Sequence, residues 1–120
     1  MAANINGVSA NGISANGASA TVEVVEVRPD RVQVKGALTF ATARAAREAA
    51  LGILERSSSA EPLMVDCSGV GASDSAGLAV LIDLLANATK RGRAVQFWNL
   101  PPGIVAAAKI SDVDTILGIA

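Results

Sequence analysis

The chain contains no histidine and one cysteine, and these two scarcities remove most enzymatic chemistry before any motif is considered. Without His there is no imidazole base for a serine or cysteine nucleophile, and the commonest nitrogen ligand for a catalytic metal is missing. The lone Cys67 follows "LMVD" in an apolar run. It cannot form a disulfide within the chain, and it reads as a small buried residue in a protein of a reducing compartment. Neither sign of charge dominates: ten Lys and Arg face eleven Asp and Glu, a net charge of -1. With no basic cluster, nothing favours nucleic acid or an anionic membrane as a partner. No stretch approaches the roughly 18 apolar residues of a membrane span, and the first twenty residues lack the basic and apolar regions of a secretory signal. The expectation is a cytoplasmic protein without direct membrane insertion, one domain in its 120 residues.

What is present falls into two textures. Residues 6–20 are three pentapeptides, NGVSA, NGISA and NGASA, whose side chains are too small to offset the entropy of ordering them, so residues 1–20 are expected to be a disordered tail. From residue 21 the chain alternates. "TVEVVEV" and "RVQVKG" are strand-like, and Pro29 and Asp30 between them suit a hairpin turn. "TARAAREAALGILER" places Ala46, Ala50, Ile53 and Leu54 on one helical face, with Thr39 or Thr42 as its cap. "EPLMVDCSGV" reads as a strand covered on both faces, followed by a helix from Ser75 to Arg91 that Gly92 stops. "RAVQFWNL" is another strand, "GIVAAAKI" a short helix, and "DVDTILGI" a last turn or two. The order implies an α/β fold in which each strand-helix-strand unit crosses over to a parallel neighbour. Trp98, near the end of its strand, is expected in or at the edge of the core.

The stretch "GVGASDSAGLAVLIDLL", Gly69–Leu85, has a glycine-rich turn between a strand and a helix but not the chemistry such turns carry elsewhere. A phosphate-binding loop needs a Lys after its last Gly, and no Lys or Arg lies between Arg56 and Lys90. A nucleophile elbow needs G-x-S-x-G, whereas Gly71-Ala72-Ser73-Asp74-Ser75 lacks the final Gly. Asp66 and Asp74 are too sparse for a calcium loop. No catalytic residue, metal site or cofactor is implied, and a binding turn remains. Asp74 suits the helix N-cap. Ser75 points outward from the first helical position. Leu78, Leu81, Ile82 and Leu85 form the expected core stripe, and Ala76, Val80 and Leu84 form an opposite ridge suited either to docking another protein or to packing under a neighbouring element.

"LMVDCSGVGASDSAGLAVLIDLLANATKRGRAVQFWNLP" resembles the signature of STAS domains, the fold of anti-sigma factor antagonists, and the similarity extends through "VKGALTFATA" and "KISDVDTIL" to span residues 21–120. The resemblance implies a single mixed, mostly parallel sheet with an N-terminal hairpin, covered by three to four helices. The position usually phosphorylated in the antagonists is Ala76 here, while the neighbouring Ser75 keeps a hydroxyl and is the candidate phosphorylation site. "GALTFAT" before the first helix, the small residue after Asp74-Ser75, and "NLPPGIVAAAKI" are more similar to the MlaB-like STAS proteins of the phospholipid-transport ABC system at the bacterial inner membrane. That likeness implies a non-enzymatic subunit, peripheral to the membrane, which binds the transporter's ATPase and supports its assembly or activity. The implied contact residues are Ser75, Ala76, Val80 and Asp74, with Thr39 and Thr42 on a loop expected nearby. The alternatives are an antagonist controlled by an anti-sigma factor kinase acting on Ser75, and a sensor holding an anion or lipid at the helix N-terminus.

Overall fold

Eight elements make up the described part of the computed structural model, which covers residues 7–13, 19–57 and 59–118. In chain order they are β1 (Gly7–Ile13), β2 (Ser19–Arg28), β3 (Arg31–Leu38), α1 (Ala43–Arg56), β4 (Leu63–Ser73), α2 (Ser75–Lys90), β5 (Val95–Trp98) and α3 (Pro102–Ile110). The strands form one five-stranded sheet in the order β1-β2-β3-β4-β5. β2 and β3 pair antiparallel about the Pro29–Asp30 turn, with Val24 opposite Val34. β3 with β4, and β4 with β5, pair parallel, as the two strand-helix-strand units require. The α/β architecture expected from the sequence is the one observed.

One expectation needs correction. The repeats were expected to be disordered throughout, yet Gly7–Ile13 forms β1, antiparallel to β2 with Val8 opposite Val24. The expectation weighed only side-chain burial. Pairing along the open edge of β2 instead satisfies backbone donors and acceptors, for which small side chains suffice. Residues 1–6 and 14–18 of the repeat region lie outside the described residues.

Strand periodicity decides which face of the sheet is covered. Val22, Val24, Val32, Val34, Leu63, Val65 and Cys67 are buried in one cluster with the inner residues of all three helices. The interleaved Glu23, Val25, Gln33, Lys35, Met64, Gln96 and Trp98 are half-buried or exposed. The helices therefore form a single layer on one face, and among the described residues no element covers the other. α2 is the middle helix, in contact with α1 on one side and α3 on the other, which explains why its sequence is apolar nearly all round. Val80 and Leu84 pack in the core beside Ala46 and Ala50 of α1, while Ile82 and Leu85 are only half-buried. The expected outward ridge is thus largely an inter-helix seam, and the expected core stripe lies partly on its margin.

Candidate functional site

Asp74 organises the end of the molecule where β4 gives way to α2. It takes an extended backbone conformation (φ -149°, ψ -170°) just ahead of the helix. Its Oδ1 accepts hydrogen bonds from the N–H groups of Ala76 (2.9 Å) and Gly77 (3.3 Å), the N-cap role read from the sequence. Its Oδ2 accepts from the N–H of Phe40 at 3.1 Å, 34 residues away in the chain. One carboxylate thus ties the start of α2 to the loop leading into α1. The same bonds use the amides an anion would need, so the helix N-terminus is already occupied by a charge of this chain.

Close packing beneath the tip depends on Gly77. A Cβ placed there would lie 2.3 Å from the carbonyl oxygen of Leu38, so no other residue lets α2 approach the end of β3 this closely. The loop from β3 to α1 is fixed from inside by Thr42. Its Oγ1 donates to the Ala37 carbonyl at 2.8 Å and accepts from the Thr39 N–H at 3.1 Å. Thr42 occupies the N-cap position of α1, but its side chain makes no capping bond.

The sequence-derived contact residues divide accordingly. Ser75 and Asp74 are exposed, and Ala76 and Thr39 are partly so. Ser75 has no hydrogen bond from its hydroxyl among the described residues. Val80 and Thr42 are both buried: Thr42 is a correction, because its hydroxyl serves the loop beneath the tip, whereas Val80 lies in the α1–α2 seam with only its rim reaching the surface.

Two residues the sequence reading passed over complete the surface. Phe40 is 85% exposed, an unusual position for the larger part of a benzyl group. Ala79, one turn beyond Ser75, is also exposed and leaves α2 without bulk on that side. Between them runs an open groove of about 680 Å³, to which the α1 side contributes Ala43, Arg44 and Arg47. Ala76, Ala79 and Asp83 line it from α2, with the rim of Val80 at its base. Arg47 and Asp83 form an ion pair that bridges the two helices. The signal for Phe40 was available: an aromatic between Thr39 and Ala41, outside both the strand alternation and the helical stripe.

The described tip is a helix start of small residues beside an exposed aromatic. The family model described as "Mlab, STAS domain" matches residues 22–118. The chain belongs to the STAS domain family. Among curated proteins, none matches this sequence. Among solved structures, this STAS domain is similar to the murine solute carrier 26 family member A9 anion transporter in its inward-facing state, with a TM-score of 0.50 and 18% identity. The match covers 92% of this chain and 18% of the transporter, and at that identity it speaks to fold alone.

Elsewhere in the STAS domain lie Asp66, Trp98 and Cys67. Asp66 is buried on the bare face of the sheet. Its Oδ1 accepts from Asn99 Nδ2 (3.1 Å) and the Ser68 N–H (3.0 Å), and Arg31 stands 3.5 Å from Oδ2. These donors, Asn99 foremost, hold its carboxyl below the usual Asp value against the opposing effect of burial. Trp98 is a further correction. It is 49% exposed, because β5 is an edge strand and Trp98 shares the bare face with Asp66, its partner in register. Cys67 is buried on the opposite, helix-covered face, and burial pushes its thiol up to about 12. Among the described residues no cluster of three or more His, Cys, Asp or Glu could hold a metal, and no helix is long and apolar enough to cross a membrane.

Proposed function

We propose that this STAS domain is a non-enzymatic subunit that docks its α1–α2 tip onto the ATPase of a phospholipid-transport ABC complex at the bacterial inner membrane, supporting assembly or activity of that complex. It acts from the cytoplasmic side and reaches the membrane through its partner. The observation that carries the reading is the tip itself: Phe40 and Ala79 exposed on either side of an open groove, with the unbonded Ser75 hydroxyl at the N-terminal end of α2. The Mlab description of the matching family supports the choice of partner. An aromatic anchor ringed by small residues suits the centre of an interface, where one hydroxyl can form a hydrogen bond as water leaves.

Charge at that position should be incompatible with docking. Ser75→Glu introduces a full negative charge into a surface that must be desolvated, on an exposed side chain with no internal partner to lose. Co-expression with candidate ATPases, followed by affinity purification, should recover the ATPase with the wild type and lose it with Ser75→Glu, while the thermal midpoint stays within about 2 °C, as for surface substitutions generally. Equal recovery with both proteins would remove Ser75 from the interface. Recovery of a kinase-like anti-sigma factor, with phosphate on Ser75 by mass spectrometry, would replace the transporter reading with the antagonist one.

A further inference from the structure

We infer that the free edge of β5 accepts an extended, uncharged segment of a partner protein as a sixth strand, at a site separate from the α1–α2 tip. Hydrogen bonding fixes which backbone groups that edge offers. The Leu63 N–H donates to the Ala94 carbonyl at 2.8 Å, and the ladder sets Leu63 opposite Val95 and Val65 opposite Phe97. In a parallel pair a residue's N–H and C=O lie on the same side of its strand, and a residue that bonds across does so to the two neighbours of the one it faces. The N–H and C=O groups of Val95 and Phe97 therefore point away from β4, and among the described residues no hydrogen bond reaches any of the four. Such a row of unpaired groups is what main-chain recognition uses: bonds along the edge supply the hold, and alternate side chains supply the selectivity.

Two further observations define what fits. The edge is one wall of a groove of about 330 Å³ whose other wall is the turn at residues 115–118, closed by a hydrogen bond from the Gly118 N–H to the Thr115 carbonyl at 3.1 Å. A single extended chain, lying about 4.8 Å from β5 across the ladder, suits that slot, whereas a helix has no free backbone groups to pair with it. A second copy's β5 would bring its own 115–118 turn along the very edge to be joined. No charged side chain lines the groove, and Trp98 and Ile116, both large and exposed, stand on its two walls. A charged segment would give up water there without an answering charge, so the occupant is uncharged where it pairs and carries apolar side chains to cover the indole and Ile116.

Random hexapeptides displayed on phage and selected against the full chain supply the probe. Enriched sequences are synthesised with capped ends, each also in a form N-methylated at alternate residues. Bound peptide should slow amide exchange at Val95 and Phe97, and N-methylation should weaken binding roughly ten-fold or more, because main-chain bonds are lost while the side chains stay. Val95→Pro deletes one outward N–H at the first position of an edge strand, where proline is tolerated, and should weaken the peptide roughly three- to ten-fold with an unchanged circular dichroism spectrum. The methylation comparison uses the wild type and decides the matter even where that variant fails to fold. Failure to enrich any peptide, equal binding of the methylated and unmethylated forms, or exchange protection confined to the Phe40 tip would overturn the inference. Protection of Val95 and Phe97 that grows with protein concentration in the absence of peptide, with a dimer by light scattering, would assign the edge to a second copy and overturn the partner segment.

Discussion

At the scale of single residues, the molecule separates positions that hold the tip from positions that present it. Gly77 belongs to the first group. Its replacement by Ala forces α2 away from the Leu38 carbonyl, and urea unfolding should show a loss of about 1–3 kcal/mol, typical of overpacking at a site that cannot relax. A loss below about 0.5 kcal/mol would mean that the end of β3 yields easily. Asp74 and Gly92 were legible in the sequence because their signals are local. A carboxylate one residue before an apolar-periodic segment can serve only the amides just ahead of it, and a glycine after the last turn supplies the left-handed residue observed there at φ +71°. Thr42 shows where that reasoning stops. Its hydroxyl could cap a helix or tie a loop, and the choice depended on the course of the backbone at Ala37, which no spacing announces.

At the scale of elements, the helix pattern was readable and the packing partners were not. α2 carries apolar residues on most of its circumference, so periodicity alone offered two stripes and no means of choosing between them. Neighbours settled it, α1 covering Val80 and Leu84 and α3 lying on the other flank. The same ignorance of neighbours put Trp98 in the core or at its edge, since "VQFW" reads identically in a central strand and in an edge strand with one bare face. Arg93 was invisible for a related reason. Its buried guanidinium donates to the carbonyls of Glu61 and Pro29 and to the Ser57 hydroxyl, joining three segments far apart in sequence.

The seam between β4 and β5 carries a pH dependence of defined sign. Asp66 has a folded-state pKa below its ordinary 3.8, so the stability it contributes is complete above the ordinary carboxylate range and is lost as pH falls through the lowered value. Asn99→Ala removes the largest cause of that depression. Acid unfolding followed by Trp98 fluorescence should then begin at higher pH than in the wild type, with little change at pH 7 in the position of the emission maximum. Coincident acid transitions would assign the low pKa to Arg31 and Ser68 instead.

At the scale of the whole molecule, the fold was largely legible from residue 21 onward because strand alternation, helical stripes and turn residues agree with one another there. The repeat region was not, since Gly, Ser, Asn and Ala have no pattern that distinguishes a tail from a strand added to an existing edge. Among the described side chains the core cluster begins at Val22, and β2 retains β3 and α1 as neighbours without β1. Removing residues 1–18 should therefore leave a folded domain with unchanged helical content by circular dichroism and a midpoint lowered by only a few degrees, on the order of one kcal/mol. A chain that unfolds on this truncation would show that the repeats complete the sheet rather than extend it.

The carboxylate of Asp74, shared between the first amides of α2 and the amide of Phe40, has a kinetic corollary. Because the Phe40 backbone and the helix tip are tied in one arrangement beforehand, a partner docking as proposed would meet a finished surface and need not wait for two distant stretches of chain to find each other. Little ordering remains to oppose the complex once formed. Under that reading, severing the tie would weaken docking through lost order at the tip as well as through any contact Asp74 itself makes.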